Sequence, residues 1–151
     1  MTSPVRFAHT NIVARDWQAL ARFYVEVFGC RPVPPERHLH GKWLDAATGL
    51  SQARISGIHL RLPGYGEAGP ALEVFQYDPA CPRAAVAANR PGFGHIAFAV
   101  DDVPAALAAV RAAGGDALGD VVTLPVTGKG TVTFVYATDP EGNIVELQHW
   151  E

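Results

Sequence analysis

Two stretches of this chain follow one plan, and that repetition limits the possible folds more than any other feature. The first stretch opens with Phe7-Ala8-His9-Thr10-Asn11-Ile12-Val13 and closes with Leu72-Glu73-Val74-Phe75-Gln76-Tyr77. The second opens with Gly94-His95-Ile96-Ala97-Phe98-Ala99-Val100 and closes with Ile144-Val145-Glu146-Leu147-Gln148. Each places a His near the start of an apolar strand and a Glu in the middle of another. Apolar residues at 17, 20, 23, 24, 27 and 28 recur at helical spacing, with Asp16 as cap and Gly29 as stop. The second half repeats this with Asp102, an Ala-rich helix over 103–113, and Gly114-Gly115. A shift of 86 residues superposes His9 on His95, Asp16 on Asp102 and Gly29 on Gly115. A period this long is not that of a solenoid.

The expected fold is therefore α+β, a single domain over 1–151 built from two tandem βαβββ modules. The first module spans 5–78, a linker rich in Pro and Gly spans 79–92, and the second module spans 93–151. Besides the strands at 5–13, 72–77, 95–100 and 144–150, the pattern predicts strands at 31–34, 41–47 and 55–62 in the first module. In the second it predicts 117–124 and 130–137. The two Glu lie 73 residues apart where the two His lie 86 apart, so the first module carries 13 extra residues. These are expected within 32–56 or in the 64–69 loop, where an insertion can shape a pocket.

Bulk properties narrow the function. A chain of 151 residues, 48% hydrophobic, can bury a core without disulfide or metal staples. A net charge of -3 with no basic stripe gives no reason to expect nucleic acid. No apolar run approaches the roughly 18 to 20 residues of a membrane helix. Cys30 and Cys81 show no CxxC spacing, and no signal-peptide pattern opens the sequence, so a reducing cytoplasm is expected.

Strand alternation orients the repeated residues. Glu73 shares a side with Phe75 and Tyr77, opposite Leu72 and Val74; Glu146 shares one with Ile144, Gln148 and Trp150, opposite Val145, Leu147 and His149. His95 sits on the side of the small Ala97 and Ala99, which leaves room for a ligand. A carboxylate among apolar neighbours is costly to ionise alone, so each Glu should be paired, protonated or on a metal. If the two halves meet, His9, Glu73, His95 and Glu146 form a set of two imidazoles and two carboxylates. That set suits a divalent ion such as Zn, Ni, Co, Mn or Fe(II). A six-coordinate ion so held keeps two positions open for a small substrate with neighbouring oxygens. It would act as a Lewis acid on an enolate formed by proton removal, with Glu146 or Glu73 as the base.

The duplication, the His-Glu-His-Glu order and the segment Asp139-Pro140-Glu141-Gly142-Asn143-Ile144-Val145-Glu146 resemble the vicinal oxygen chelate superfamily. That group includes glyoxalase I, methylmalonyl-CoA epimerase, extradiol dioxygenases, fosfomycin-resistance transferases and bleomycin-binding proteins. The resemblance covers essentially the whole chain. It implies a cupped mixed sheet around a central metal site, ligands at His9, Glu73, His95 and Glu146, and a homodimer. It also implies lyase or isomerase chemistry of the glyoxalase type. The ligands can come from one chain or be shared across a dimer. Glyoxalase I enzymes typically carry Arg four residues after the first His and Asn four after the first Glu, both serving glutathione; here Val13 and Tyr77 stand there.

Two alternatives belong to other classes. An extradiol Fe(II) dioxygenase would use His9, His95 and Glu146, leaving Glu73 surplus. A non-catalytic small-molecule (antibiotic) binder would use an apolar cleft lined by Trp43, Phe75 and Tyr77. Among the remaining candidates, His38 and His40 read as a solvated loop near the pocket mouth, His59 as a satisfied sheet residue, and His149 as facing away from Glu146. Thr127-Gly128-Lys129-Gly130-Thr131 lacks phosphate-loop spacing and reads as a hairpin whose Lys129 could meet an anionic substrate. Tyr136 is a candidate pocket hydroxyl, and Glu141 belongs to a turn with no catalytic part.

Overall fold

The computed structural model describes residues 4–151, which divide into two compact units, the first ending at Pro82 and the second spanning Arg83–Glu151. In the first unit, β1 (His9–Val13) leads into α1 (Trp17–Phe28), β2 (Arg31–His40), α2 (Lys42–Thr48), β3 (Arg54–Arg61) and β4 (Ala71–Asp78). In the second, β5 (Ile96–Ala99) and α3 (Val103–Ala112) precede β6 (Asp116–Ala117), β7 (Val122–Val126), β8 (Gly130–Thr138) and β9 (Ile144–Trp150). Each unit is one mixed sheet, ordered β1-β4-β3-β2 in the first and β5-β9-β8-β6 in the second, with β7 also paired to β8. In both, the opening strand runs parallel to the closing one and the rest of the sheet is antiparallel. The fold is α+β, as the repeat requires.

Local chemistry starts both long helices alike. The Asp16 carboxylate accepts from the Ala19 N–H at 3.0 Å, and the Asp102 carboxylate from the Ala105 N–H at 2.9 Å. Their ends differ. Gly29 takes the left-handed conformation (φ 68) after α1, but after α3 that role falls to Gly114 (φ 96) and not Gly115. Gly115 is required for a close approach, since a Cβ there would stand 2.2 Å from the Thr138 carbonyl oxygen. The Gly29–Gly115 equivalence is thus one residue out.

Each helix buries one face of its own sheet. Trp17, Leu20, Phe23 and Tyr24 cover the side of Ile58, Leu60, Leu72 and Val74, while Val103, Leu107 and Val110 cover that of Val135, Ala137, Val145 and Leu147. The opposite face of each sheet carries the polar side chains discussed below.

Two strand expectations need correction. Residues 42–48 form helix α2, not a strand over 41–47. Leu44 of α2 is buried in a small core with Ala53, Ile55 and Phe75. The Asp45 carboxylate closes the helix exit by accepting from the Gln52 and Ala53 N–H groups, both at 2.9 Å. This insertion, between β2 and β3, houses surplus residues of the first module. The expected strand 117–124 is divided into the short β6 and the separate β7, because Leu118 and Gly119 turn the chain by donating to the Tyr136 carbonyl.

The Asp139–Asn143 turn before β9 is organised by a buried side chain. Asp139, 2% exposed, accepts from the Glu141 and Asn143 N–H groups at 2.9 Å and from Asn143 Nδ2 at 2.7 Å. Asp139→Ala orphans these donors and should cost about 3 kcal/mol, read as a lowered midpoint in urea with unchanged slope. A loss below about 1 kcal/mol would show that the turn holds without the carboxylate.

Of the two thiols, Cys30 is buried and its pKa is pushed up to about 11 by burial, whereas Cys81 is exposed. A thiol reagent near neutral pH should modify one group in the native chain, at Cys81, and the second only after unfolding. Rapid modification of both would contradict the packing under α1.

Candidate metal centre

The four repeated residues form two His–Glu pairs, one inside each unit. In the first, His9 Nε2 stands 3.5 Å from Glu73 Oε2; in the second, His95 Nε2 stands 2.9 Å from Glu146 Oε2. The carboxylates are 12% and 17% exposed, and the imidazoles 50% and 35%, so each pair is reachable from solvent on the imidazole side. Sheet register explains the pairing. Asn11 lies beside Glu73 across β1 and β4, and Ala97 beside Glu146 across β5 and β9. Each His is two residues before that neighbour, on the same face, so its ring reaches back over the carboxylate.

The third strand completes each arrangement. His59 on β3 lies in register with Glu73, and Tyr136 on β8 with Glu146. His59 Nε2 is 3.1 Å from Glu73 Oε1, and Asn11 Nδ2 donates to Glu73 Oε2 at 3.3 Å. Burial is the main influence on His59 and lowers its pKa; Glu73 acts in the opposite direction, while Arg37 and His9 add to the lowering. The lowering favours the neutral imidazole, whose Nε2 faces Oε1. Tyr136 instead sets its ring against His95, centroids 5.0 Å apart, and also packs edge-on against Phe134.

His59 is thus more than a satisfied sheet residue, and Asn11 was not anticipated as a partner at all. The available signal was parity: Asn11 lies two residues after His9, and His59 alternates with buried Ile58 and Leu60. What parity does not give is the register that sets them beside Glu73. His149 does face away, its Nδ1 2.9 Å from the Val100 carbonyl oxygen. Thr127–Thr131 is a tight hairpin between β7 and β8, with the Lys129 N–H donating to the Val126 carbonyl.

Other expectations shift. Phe75 is buried under α2, and Tyr77 packs against the same cluster, so neither presents a free aromatic wall beside exposed Trp43. Val13 is half exposed, and neither it nor Tyr77 offers the charge or amide that glutathione recognition would use there. His38 lies on β2, not in a loop, its Nε2 3.6 Å from Glu36, and His40 ends that strand.

The donor chemistry fits a divalent ion. Atoms bound about 2.1 Å from one ion lie about 3.0 Å apart at a right angle and about 3.4 Å apart at the tetrahedral angle. The two His–Glu separations, 2.9 and 3.5 Å, match adjacent ligand atoms in such a shell. Among the described residues, no group of three or more His, Cys, Asp or Glu side chains has metal-binding geometry.

Comparison with known proteins agrees with this architecture. The family model of the Glyoxalase/Bleomycin resistance protein/Dioxygenase superfamily matches residues 6–147, and the chain belongs to that family. A relative from Vibrio parahaemolyticus described as "Probable lactoylglutathione lyase" is 27% identical over 142 residues, covering 94% of this chain and 88% of the relative. A glyoxalase family protein from Bacillus cereus superposes with a TM-score of 0.82 at 17% identity, over 99% of this chain and 96% of that one. A glyoxalase family protein from Enterococcus faecalis gives a TM-score of 0.61 at 25% identity, over 95% and 96%. Among the described residues, no helix is long and apolar enough to cross a membrane.

Proposed function

We propose that the protein is a metal-dependent enzyme of the glyoxalase type, moving a proton on a small substrate with two adjacent oxygens. The observation that carries this reading is the repeated His–Glu pair, Nε2 facing Oε2, at equivalent sheet positions of both units. His9, Glu73, His95 and Glu146 would together hold a divalent ion, from one chain or shared between two copies in a homodimer. When bound, that ion supplies a Lewis acid for the substrate's oxygens. The relative described as a probable lactoylglutathione lyase supports lyase chemistry.

The chain's own groups divide the work. Glu146 has a single ion-pairing side chain beside it, His95, among the described residues, whereas Glu73 is held by His9, His59 and Asn11. The less restrained carboxylate is the better base: the Glu146 oxygen turned away from His95 takes the proton from carbon next to the carbonyl and returns it to the neighbouring carbon. Val13 and Tyr77 favour a substrate without the glutathione moiety.

The test is proton NMR in deuterium oxide with Ni-, Co-, Zn-, Mn- or Fe(II)-loaded protein. The panel comprises hemithioacetals of 2-oxoaldehydes, made with glutathione and with a simple thiol, and 2-hydroxy ketones. Metal-dependent isomerisation or exchange of the proton beside the carbonyl is expected. No turnover or exchange across the panel, with metal bound, would reject the proton-transfer reading. Oxygen consumption on catechols by the Fe(II) form would replace it with dioxygenase chemistry.

A further inference from the structure

We propose that His59 is a positioning residue, holding the Glu73 carboxylate by Oε1 so that Oε2 is presented to the metal. The proposal rests on the metal reading above and adds a residue outside the four ligands. Its basis is a three-strand register in which Glu73 on β4 has Asn11 on one side and His59 on the other. The two carboxylate oxygens are divided between partners. Oε1 faces His59 Nε2 at 3.1 Å, while Oε2 faces His9 Nε2 at 3.5 Å and accepts from Asn11 Nδ2 at 3.3 Å.

The imidazole of His59 is itself braced. Its ring lies 5.7 Å, centroid to centroid, from that of Phe75, and Phe75 is fixed beneath Leu44 of α2. The insertion peculiar to the first unit therefore supports the side chain that aligns its carboxylate. At the matching register position of the second unit stands Tyr136, whose ring packs on that of His95. Two carboxylates of the same type are thus held differently: one is clamped at both oxygens and the other at one. Loss of an outer partner that orients a ligating side chain costs about 10- to 100-fold in metal affinity.

Calorimetric titration of the metal-free full-length protein with Co(II) tests this, with the Co(II) absorption bands as a second readout. His59→Leu should weaken Co(II) binding by about 10- to 100-fold. His59→Gln places an amide N–H near the position of Nε2 and should remain within about threefold of the parent. Tyr136→Phe should leave affinity unchanged. An unaltered affinity in His59→Leu overturns the proposal. Equal loss in His59→Leu and His59→Gln also overturns it, because His59 would then bind the metal through its ring. A metal-free readout does not depend on any variant folding: imidazole nitrogen NMR of the parent protein should show His59 protonated at Nε2. Protonation at Nδ1 overturns the proposal. Failure of the parent protein to take up Co(II) removes the metal reading and this one with it, and is distinct from a difference confined to the His59 variants.

Discussion

Glu146→Gln is expected to lower kcat of the metal-loaded protein by roughly a thousandfold, within the range lost when a general base is removed. The amide keeps the shape of the side chain and its place between Ala97 and Tyr136 in the sheet register but cannot accept the proton. Glu73→Gln differs in kind. Its carboxylate is already engaged by three side chains, so its loss should act chiefly on metal affinity, with kcat at saturating metal falling only about tenfold. Measuring kcat and metal affinity separately distinguishes the two. A Glu146→Gln variant within tenfold of the parent kcat would return the base role to Glu73 or to another group.

His95→Ala has the second large effect. It removes a donor atom and leaves the Glu146 carboxylate, 17% exposed, without the imidazole that faces its Oε2. Loss of a group that merely supports a ligand costs about 10- to 100-fold in affinity, so loss of a ligand should cost at least about 100-fold. His149→Ala is the matched control. That ring lies on the opposite face of the same sheet, bonded to the Val100 carbonyl oxygen, and its removal should leave metal affinity within about twofold. Equal loss in the two variants would mean that the His95 variant acts through stability, which the urea midpoint of each would reveal.

The repeat made the architecture legible because ligand, cap and stop residues have fixed geometric meanings. An Asp before a helical apolar pattern and a His at a strand start each say where an element begins. Both long helices and the strands bearing Glu73 and Glu146 lie where these signals put them. Residues 42–48 were harder to read. Trp43 and Leu44 suit a strand as well as a helix, and what decides is Leu44 packing on Ile55 and Phe75, which are distant in sequence. The Gly114-Gly115 pair illustrates another limit. Either glycine can end a helix, and the choice falls to the one not needed for the close approach to Thr138.

For the candidate site, the sequence supplied residue types and parity but not neighbours across strands. Parity put Glu73 on the side away from Leu72 and Val74 and Glu146 on the side away from His149, and that placement needs only alternation. The Glu73–His59 contact depends on antiparallel register between β3 and β4, set by the length of the connection and the burial of Leu60 and Leu72. The same dependence hides the different treatment of Glu146, where Tyr136 stands at the equivalent position. Substrate choice was least legible of all: Val13 and Tyr77 say what is missing, and chemistry must supply what replaces it.

Metal content per chain bears most directly on the account. The protein, purified without chelators and then offered Ni, Co, Zn, Mn or Fe(II) in turn, should hold about one ion per chain with at least one of them. That ratio holds whether the four donors come from one chain or are shared symmetrically between two. A content below about 0.2 ion per chain with every metal would contradict the central claim. The two His–Glu pairs would then be ion pairs and nothing more.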